Sequence, residues 1–240
     1  VVAVIIVTQQ PIFAPDALLA FTGSVLLHIA YYFLLQRGYS TGGLSLVYPL
    51  ARGSGPALSV IGAILLLNES PSAAQFGGAL LVSVGVLILT GNPFTLFQHD
   101  NRAAIGYALL CGLSIAAYTL WDKVAVSSVM LSPILLTWGG NVAQMFLLAP
   151  AAAKSWGTVK HAWREHRVAV ISISLLDSLS YILFLIALTF SAVSVLAPLR
   201  QTSILIGALL GIRFLHEEVS QRRFIAIGIM LLGLMALALG

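Results

Sequence analysis

Eight stretches of this chain stay apolar for close to the ~20 residues that a helix needs to cross hydrocarbon. They are Asp16–Gln36, Leu44–Leu67, Ser72–Thr90, Ala103–Trp121, Leu131–Ala153, Val168–Phe190, Val193–Leu215 and Arg223–Leu239. Val1–Val7 has the same character and reads as the tail of a ninth. All run well past the roughly 10 alternating residues of a barrel strand, so the pattern predicts helices. The breaks are short and carry ordinary stop signals, such as NESPS at 68–72 and TGNPF at 90–94. One connection differs. KSWGTVKHAWREHR, residues 154–167, mixes four Lys/Arg with two Trp and sets Trp156, Val159 and Trp163 on one helical face. That pattern predicts a short amphipathic helix lying among lipid headgroups.

Composition turns these runs into lipid-facing surface. Of 240 residues, 59% are hydrophobic and 8% charged, against about 25% charged in a soluble domain. Too few polar groups remain to cover a wet surface, so the solvent for most of the chain is lipid. The net charge of +4 is scattered over short connections, which argues against a nucleic-acid partner and for charges that orient a membrane protein. A lone cysteine, Cys111, excludes an intrachain disulfide and a Cys-rich metal site. His161 and His166 stand five residues apart on different helix faces and are read as solvated, not metal-binding. No cofactor is expected. The opening VVAVIIV has neither a basic flank nor a small-residue cleavage site, so no signal peptide is read there.

Two stretches break the apolar pattern in the same way: LSLVYPLARGSG at 44–55 and VSVLAPLRQTSI at 193–204 each carry Pro and Arg just inside a span. Laid over each other they keep step, with Tyr32 on Tyr181, Ser45 on Ser194, Pro49 on Pro198, and Glu69 on Glu218 or Glu217. The chain is therefore duplicated. The second copy begins near Arg102 and holds five spans. At the same offset the first copy would begin before residue 1, with its first span and most of its second missing. This gives two halves, 1–92 and 93–240. An odd number of helices per copy makes consecutive copies enter the membrane from opposite sides, an inverted-topology repeat of the kind most often used by transporters.

Each copy resembles the EamA-type module of the drug/metabolite transporter superfamily. The first shows YPLARGSGP (48–56), NESPSAAQFGG (68–78) and Gly85; the second shows APLRQTS (197–203), HEEVSQRRF (216–224), Gly228 and Gly233. The second copy lacks a proline matching Pro56, and its glycine spacing is shifted. The resemblance implies an all-α polytopic membrane protein of ten helices when intact, with a solute path between two five-helix halves. It implies export or uptake of a small-molecule partner, a metabolite or drug, across the cytoplasmic membrane without ATP hydrolysis; amino acids or related compounds are the expected class and export the expected direction.

Ionisable and polar groups inside lipid are costly and usually face a cavity or a partner. His28 lies mid-span with Ser24 and Tyr32 on its face, and Asp177 holds the matched station one turn before Tyr181. Tyr107, Cys111, Ser114, Tyr118 and Trp121, followed by Asp122, form a stripe at helical spacing; Thr137, Asn141 and Gln144 form a second. His28, Tyr32, Tyr118, Trp121, Asn141, Gln144, Asp177 and Tyr181 are the expected solute-binding residues. The alternative for each is hydrogen bonding between helices. Arg52 and Arg200 are expected as gating or structural charges. By 1.5 Å per residue, Arg52 lies roughly 12 Å and Asp177 roughly 14 Å below the same membrane face, an arrangement compatible with an ion pair. Snorkelling to the headgroups is the alternative. GALLG (207–211) reads as a close helix-packing motif, and Glu69, Glu217 and Glu218 read as helix-end groups.

Arg37, Arg102, Lys154, Lys160, Arg164, Arg167, Arg213, Arg222 and Arg223 fall on one side and Lys123 on the other, which places 154–167 in the cytoplasm. The family's usual arrangement places that connection outside. An intramembrane enzyme finds no HExxH, GxSxG or paired Asp-rich motif, and GSG at 53–55 lacks the Lys and Ser/Thr of a P-loop. The chain is read as a transporter working by alternating access, with proton coupling through His28 or Asp177 and uncoupled exchange or facilitation both left open, and with a proton-coupled drug exporter as the alternative.

Overall fold

The computed structural model describes residues 14–42, 44–90, 102–214 and 220–240. Val1–Val7, the TGNPF turn beyond Thr90, the division between residues 92 and 93, and Glu217 and Glu218 lie outside the described residues. Those described form nine helices and no strand: α1 Pro15–Gly42, α2 Leu44–Leu66, α3 Ala73–Thr90, α4 Arg102–Ser127, α5 Pro133–Lys154, α6 Trp156–Phe190, α7 Val193–Leu199, α8 Thr202–Phe214 and α9 Gln221–Leu239. Seven apolar spans, Val193–Leu210 counting as one, are long enough to cross a membrane, and Ala73–Leu89 is a shorter eighth. The fold is all-α and polytopic.

Helices outrun the apolar runs that predict them. α1 continues past Gln36 to Gly42, and α4 continues past Trp121 to Ser127. A charge ends a hydropathy window but not a helix. Arg37 rides over the Phe33 ring one turn back, 5.3 Å from its centroid, so its stem stays apolar while its head reaches water. The 154–167 connection is helical as expected and joins the next span across a kink, where His166 leaves helical geometry at φ −128 and ψ 22. Trp156, Val159 and Trp163 are exposed there.

The span from Val193 is not one helix. Pro198 supplies no amide to Ser194 O. Beyond it Gln201 N bonds to Pro198 O at 3.0 Å and Ile204 N to Gln201 O at 2.9 Å, tight three-residue bonds in place of α-helical ones. Its repeat counterpart α2 runs unbroken through Pro49 and Pro56, so proline alone does not decide the break.

Serine opens the same helix in both repeats. Ser72 and Gln75 form a reciprocal capping box at α3, with Ser72 N donating to Oε1 at 3.0 Å and Gln75 N donating to Oγ at 3.1 Å. Ser220 Oγ accepts from Arg223 N at α9.

The described chain forms two compact units: one takes α1 as far as Leu26 together with Trp121–Phe190, the other takes Leu27–Leu120 and Ser191–Gly240. In the second unit α3 and α9 meet backbone to backbone. A Cβ on Gly78 would lie 2.7 Å from Gly233 O, and one on Gly233 would lie 2.7 Å from Gly78 O. Gly78 also faces Leu237, whereas Gly85 faces Met230 and Ala226, so the helices run antiparallel. Val60, Val82, Val86, Leu89, Leu205, Met230 and Leu237 close the core around them. α3 and α9 are repeat mates, as are α2 and α7, which also pack together. Antiparallel mates require a relating axis across the helices, as an inverted repeat does. The packing expected at GALLG is not made at Gly207, where a Cβ would meet nothing within 4 Å. The small residues that matter lie on α3 and α9.

Candidate functional site

In the second unit, α1 and α4 bring an aromatic group together. The His28 ring stacks on Tyr118 with centroids 4.2 Å apart and planes 26° apart. Tyr31 meets Tyr118 edge-on at 5.8 Å and 77°, and lies 5.2 Å from Tyr32. The α4 stripe turns inward as its spacing predicts: Cys111, Ser114 and Tyr118 are buried while Leu109, Leu110 and Leu113 are exposed. Ser24, one turn before His28, is buried as well. Tyr31 is not among the expected residues although it stands one turn after His28, because the repeat matches Tyr32, not Tyr31, to Tyr181.

Arg52 on α2 is half-buried, with its guanidinium 5.6 Å from the Tyr48 ring centroid and its charge within reach of Tyr31 and Cys111. Ring faces, phenols, an imidazole and a guanidinium can stack on a planar or apolar body and hydrogen-bond a polar head. Arg200 is half-buried at the end of α7. At the offset that matches Pro49 to Pro198, Arg52 falls on Gln201. Gln201 is 4% exposed, and its side-chain oxygen has no hydrogen-bond partner among the described residues.

The first unit holds the remaining expected residues, three of which are bonded to other groups of the protein. Tyr181 OH donates to Asp122 Oδ2, and Asp122 is fully enclosed at 0% exposure. Beside it Lys123 Nζ donates to Leu188 O at 2.7 Å, satisfying a carbonyl in the last turn of α6. Asn141 Nδ2 donates to Ser178 Oγ at 3.1 Å and ties α5 to α6, while Gln144 is half-buried. Asp177 is exposed on α6, so the enclosed carboxylate beside Tyr181 is Asp122. The signal was present, since Asp122 follows Tyr118 by four residues on the inward stripe. Arg52 and Asp177 fall in different units.

Trp121 spends its only donor on the protein. Its Nε1 donates to Ala20 O at 2.8 Å, and a Cβ on Gly23 would lie 2.5 Å from its ring. Only the ring face is left for a solute. Trp121→Phe is expected to cost about 1 kcal/mol, the net worth of one hydrogen bond, lowering Tm in detergent by ~2–4 °C for a chain of this size.

Apolar helices of membrane length, antiparallel repeat mates and polar side chains gathered within the spans define a polytopic transport protein. The model of the EamA-like transporter family matches residues 102–239, more than half of the chain. The chain belongs to that family and is a membrane transporter of the drug/metabolite type. A solved structure titled "Crystal structure of protein" has the same fold at TM-score 0.78 and 16% identity, covering 99% of this chain and 83% of that one. No curated protein matches the chain.

Proposed function

We propose that this transporter exports small amphipathic metabolites, amino acids or related compounds, across the cytoplasmic membrane by alternating access of its two inverted repeats. The observation that carries this reading is the His28–Tyr118 stack with Tyr31 at its edge, an aromatic and hydrogen-bonding surface placed within apolar spans. Such a surface suits an aliphatic or aromatic body bearing polar ends better than a bare ion. Tyr32 is the further solute-binding residue proposed in the unit that holds this stack; Trp121 by its ring, Asn141, Gln144, Asp177 and Tyr181 are those proposed in the other unit, and Arg52 and Arg200 are proposed as gating or structural charges.

Uptake of a panel of radiolabelled amino acids into proteoliposomes tests it. His28→Ala and Tyr118→Ala should each raise KM ~10-fold, as expected for losing about 1.4 kcal/mol of solute contact. Uptake at wild-type KM in both variants would remove the stack from the site. An imposed pH gradient separates the second reading, proton-coupled drug export, which the enclosed Asp122 carboxylate favours. Rates that ignore the gradient eliminate coupling.

A further inference from the structure

α7 is fastened at its start by a residue from the other repeat. Asn68 ends α2 with a left-handed backbone, φ 54, and the amides of Leu67 and Glu69 both return to Ala63 O at 3.1 Å. Asn visits that conformation at low cost, and the turn directs Glu69 at the second repeat's interrupted span. There Oε1 accepts from Val193 N at 2.8 Å and Oε2 accepts from Ser194 N at 2.9 Å. These are the first two amides of α7, groups that a helix leaves without internal partners. The carboxylate also meets the positive end of the aligned peptide dipoles.

The two parts of the span differ. Val193, Ser194, Ala197 and Pro198 of α7 are buried, and α7 packs on α2 and α3. α8 turns Ile206, Leu209 and Leu210 outward. Between them lie the tight turns after Pro198, where few α-helical bonds resist bending. A segment joined to its neighbour by a weakened ladder, and to α2–α3 by packing and two charge-assisted bonds, follows the latter.

We propose that Glu69 is a positioning residue of the transport cycle. It fastens α7 to the α2–α3 turn, so that α7 travels with α2 and α3 while its span bends at Pro198–Gln201. The proposal rests on the transporter reading but not on the identity of the solute.

The intact protein carrying Glu69→Ala, Glu69→Gln, Val193→Pro or the Glu69→Ala/Val193→Pro pair tests it. Val193→Pro removes one donor and sets its ring Cδ where the amide met Glu69 Oε1, so the carboxylate is displaced; the backbone itself accepts the change, because proline suits the first helical position and Ala192 before it is already extended at ψ 144. In proteoliposomes Glu69→Ala should lower the maximal rate ~10-fold with KM within about twofold, the signature of a transition lost without solute contact. Glu69→Gln, which keeps one acceptor, should fall between. The double variant should be no slower than Glu69→Ala; effects that multiply, or a raised KM at an unchanged maximal rate, overturn the proposal. Deuterium exchange of the Val193 and Ser194 amides in detergent should be ~10-fold faster in Glu69→Ala than in the wild type. Equal exchange overturns the clasp whether or not any labelled solute moves. A wild type that moves no solute while its amides stay protected overturns the role in transport, and that result falls on the transporter reading, leaving the clasp itself standing.

Discussion

Gly233→Leu is expected to eliminate folded, monodisperse protein, whereas Gly207→Leu should yield near wild-type amounts. The glycines look alike in sequence, both set among aliphatic residues in apolar spans: Ile206 and Ala208 flank Gly207, and Leu232 and Leu234 flank Gly233. Their surroundings differ. A Cβ at Gly233 would sit 2.7 Å from Gly78 O and 2.8 Å from Val82 N, both backbone atoms. Side chains can rotate away from an intruder; two helix backbones must separate. Overpacking typically costs 1–3 kcal/mol where side chains can adjust. Parting α3 from α9 also opens the core of Val82, Val86, Met230 and Leu237, so the cost should take a large share of the ~5–15 kcal/mol that holds a protein folded. Gly78→Ala should behave like a weaker Gly233 variant. Gly85→Ala should be milder, because the nearest atom there is the flexible Met230 Cγ at 2.4 Å. A Cβ at Gly207 would meet nothing within 4 Å, and Gly207→Leu exchanges a poor helix former for a good one. Size-exclusion profiles and thermal unfolding in detergent decide the matter, and equal behaviour of Gly233→Leu and Gly207→Leu would refute the antiparallel crossing.

The second large effect belongs to Asp122. Tyr181→Phe deletes a methodically placed donor from a carboxylate with no exposed surface. Removing a hydrogen-bond donor from a buried carboxylate costs about 1.5–3 kcal/mol, a Tm loss of ~3–12 °C by the scaling for chains of this size. Asp122→Leu removes the carboxylate and leaves a neutral, half-buried phenol opposite, so it should cost less. In Tyr181→Phe/Asp122→Leu the pair is absent, and the loss should be smaller than the sum of the single losses by at least ~1 kcal/mol. Additive losses would show that the bond seen between α6 and α4 contributes nothing. Asp177→Asn, one turn before Tyr181 on α6, changes an exposed group and should leave Tm within ~1 °C, since surface changes away from special features cost little.

Hydropathy located every described span, and the repeat announced antiparallel copies, because both depend on quantities that a sequence carries locally: run length and the parity of spans. The inward stripe on α4 was legible for the same reason, as helical period alone fixes which side chains share a face. Ser72 and Ser220 could be read as helix starts, and Glu69 as a helix-end group, from their positions in turns.

Partnership was decided elsewhere. Which glycine touches a backbone, which acid lies against Tyr181, and which helix start Glu69 caps all depend on residues far apart in the chain: Gly78 with Gly233, Asp122 with Tyr181, Glu69 with Val193. Spacing within one helix gives a side chain's direction but not what stands opposite it. The break after Pro198 shows the same limit, since α2 carries the matching Pro49 without breaking. Sequence alone determined that this chain is a duplicated bundle of membrane helices with polar faces. Tertiary packing determined which of those polar groups meet, because a contact energy belongs to a pair and only folding brings the two members together.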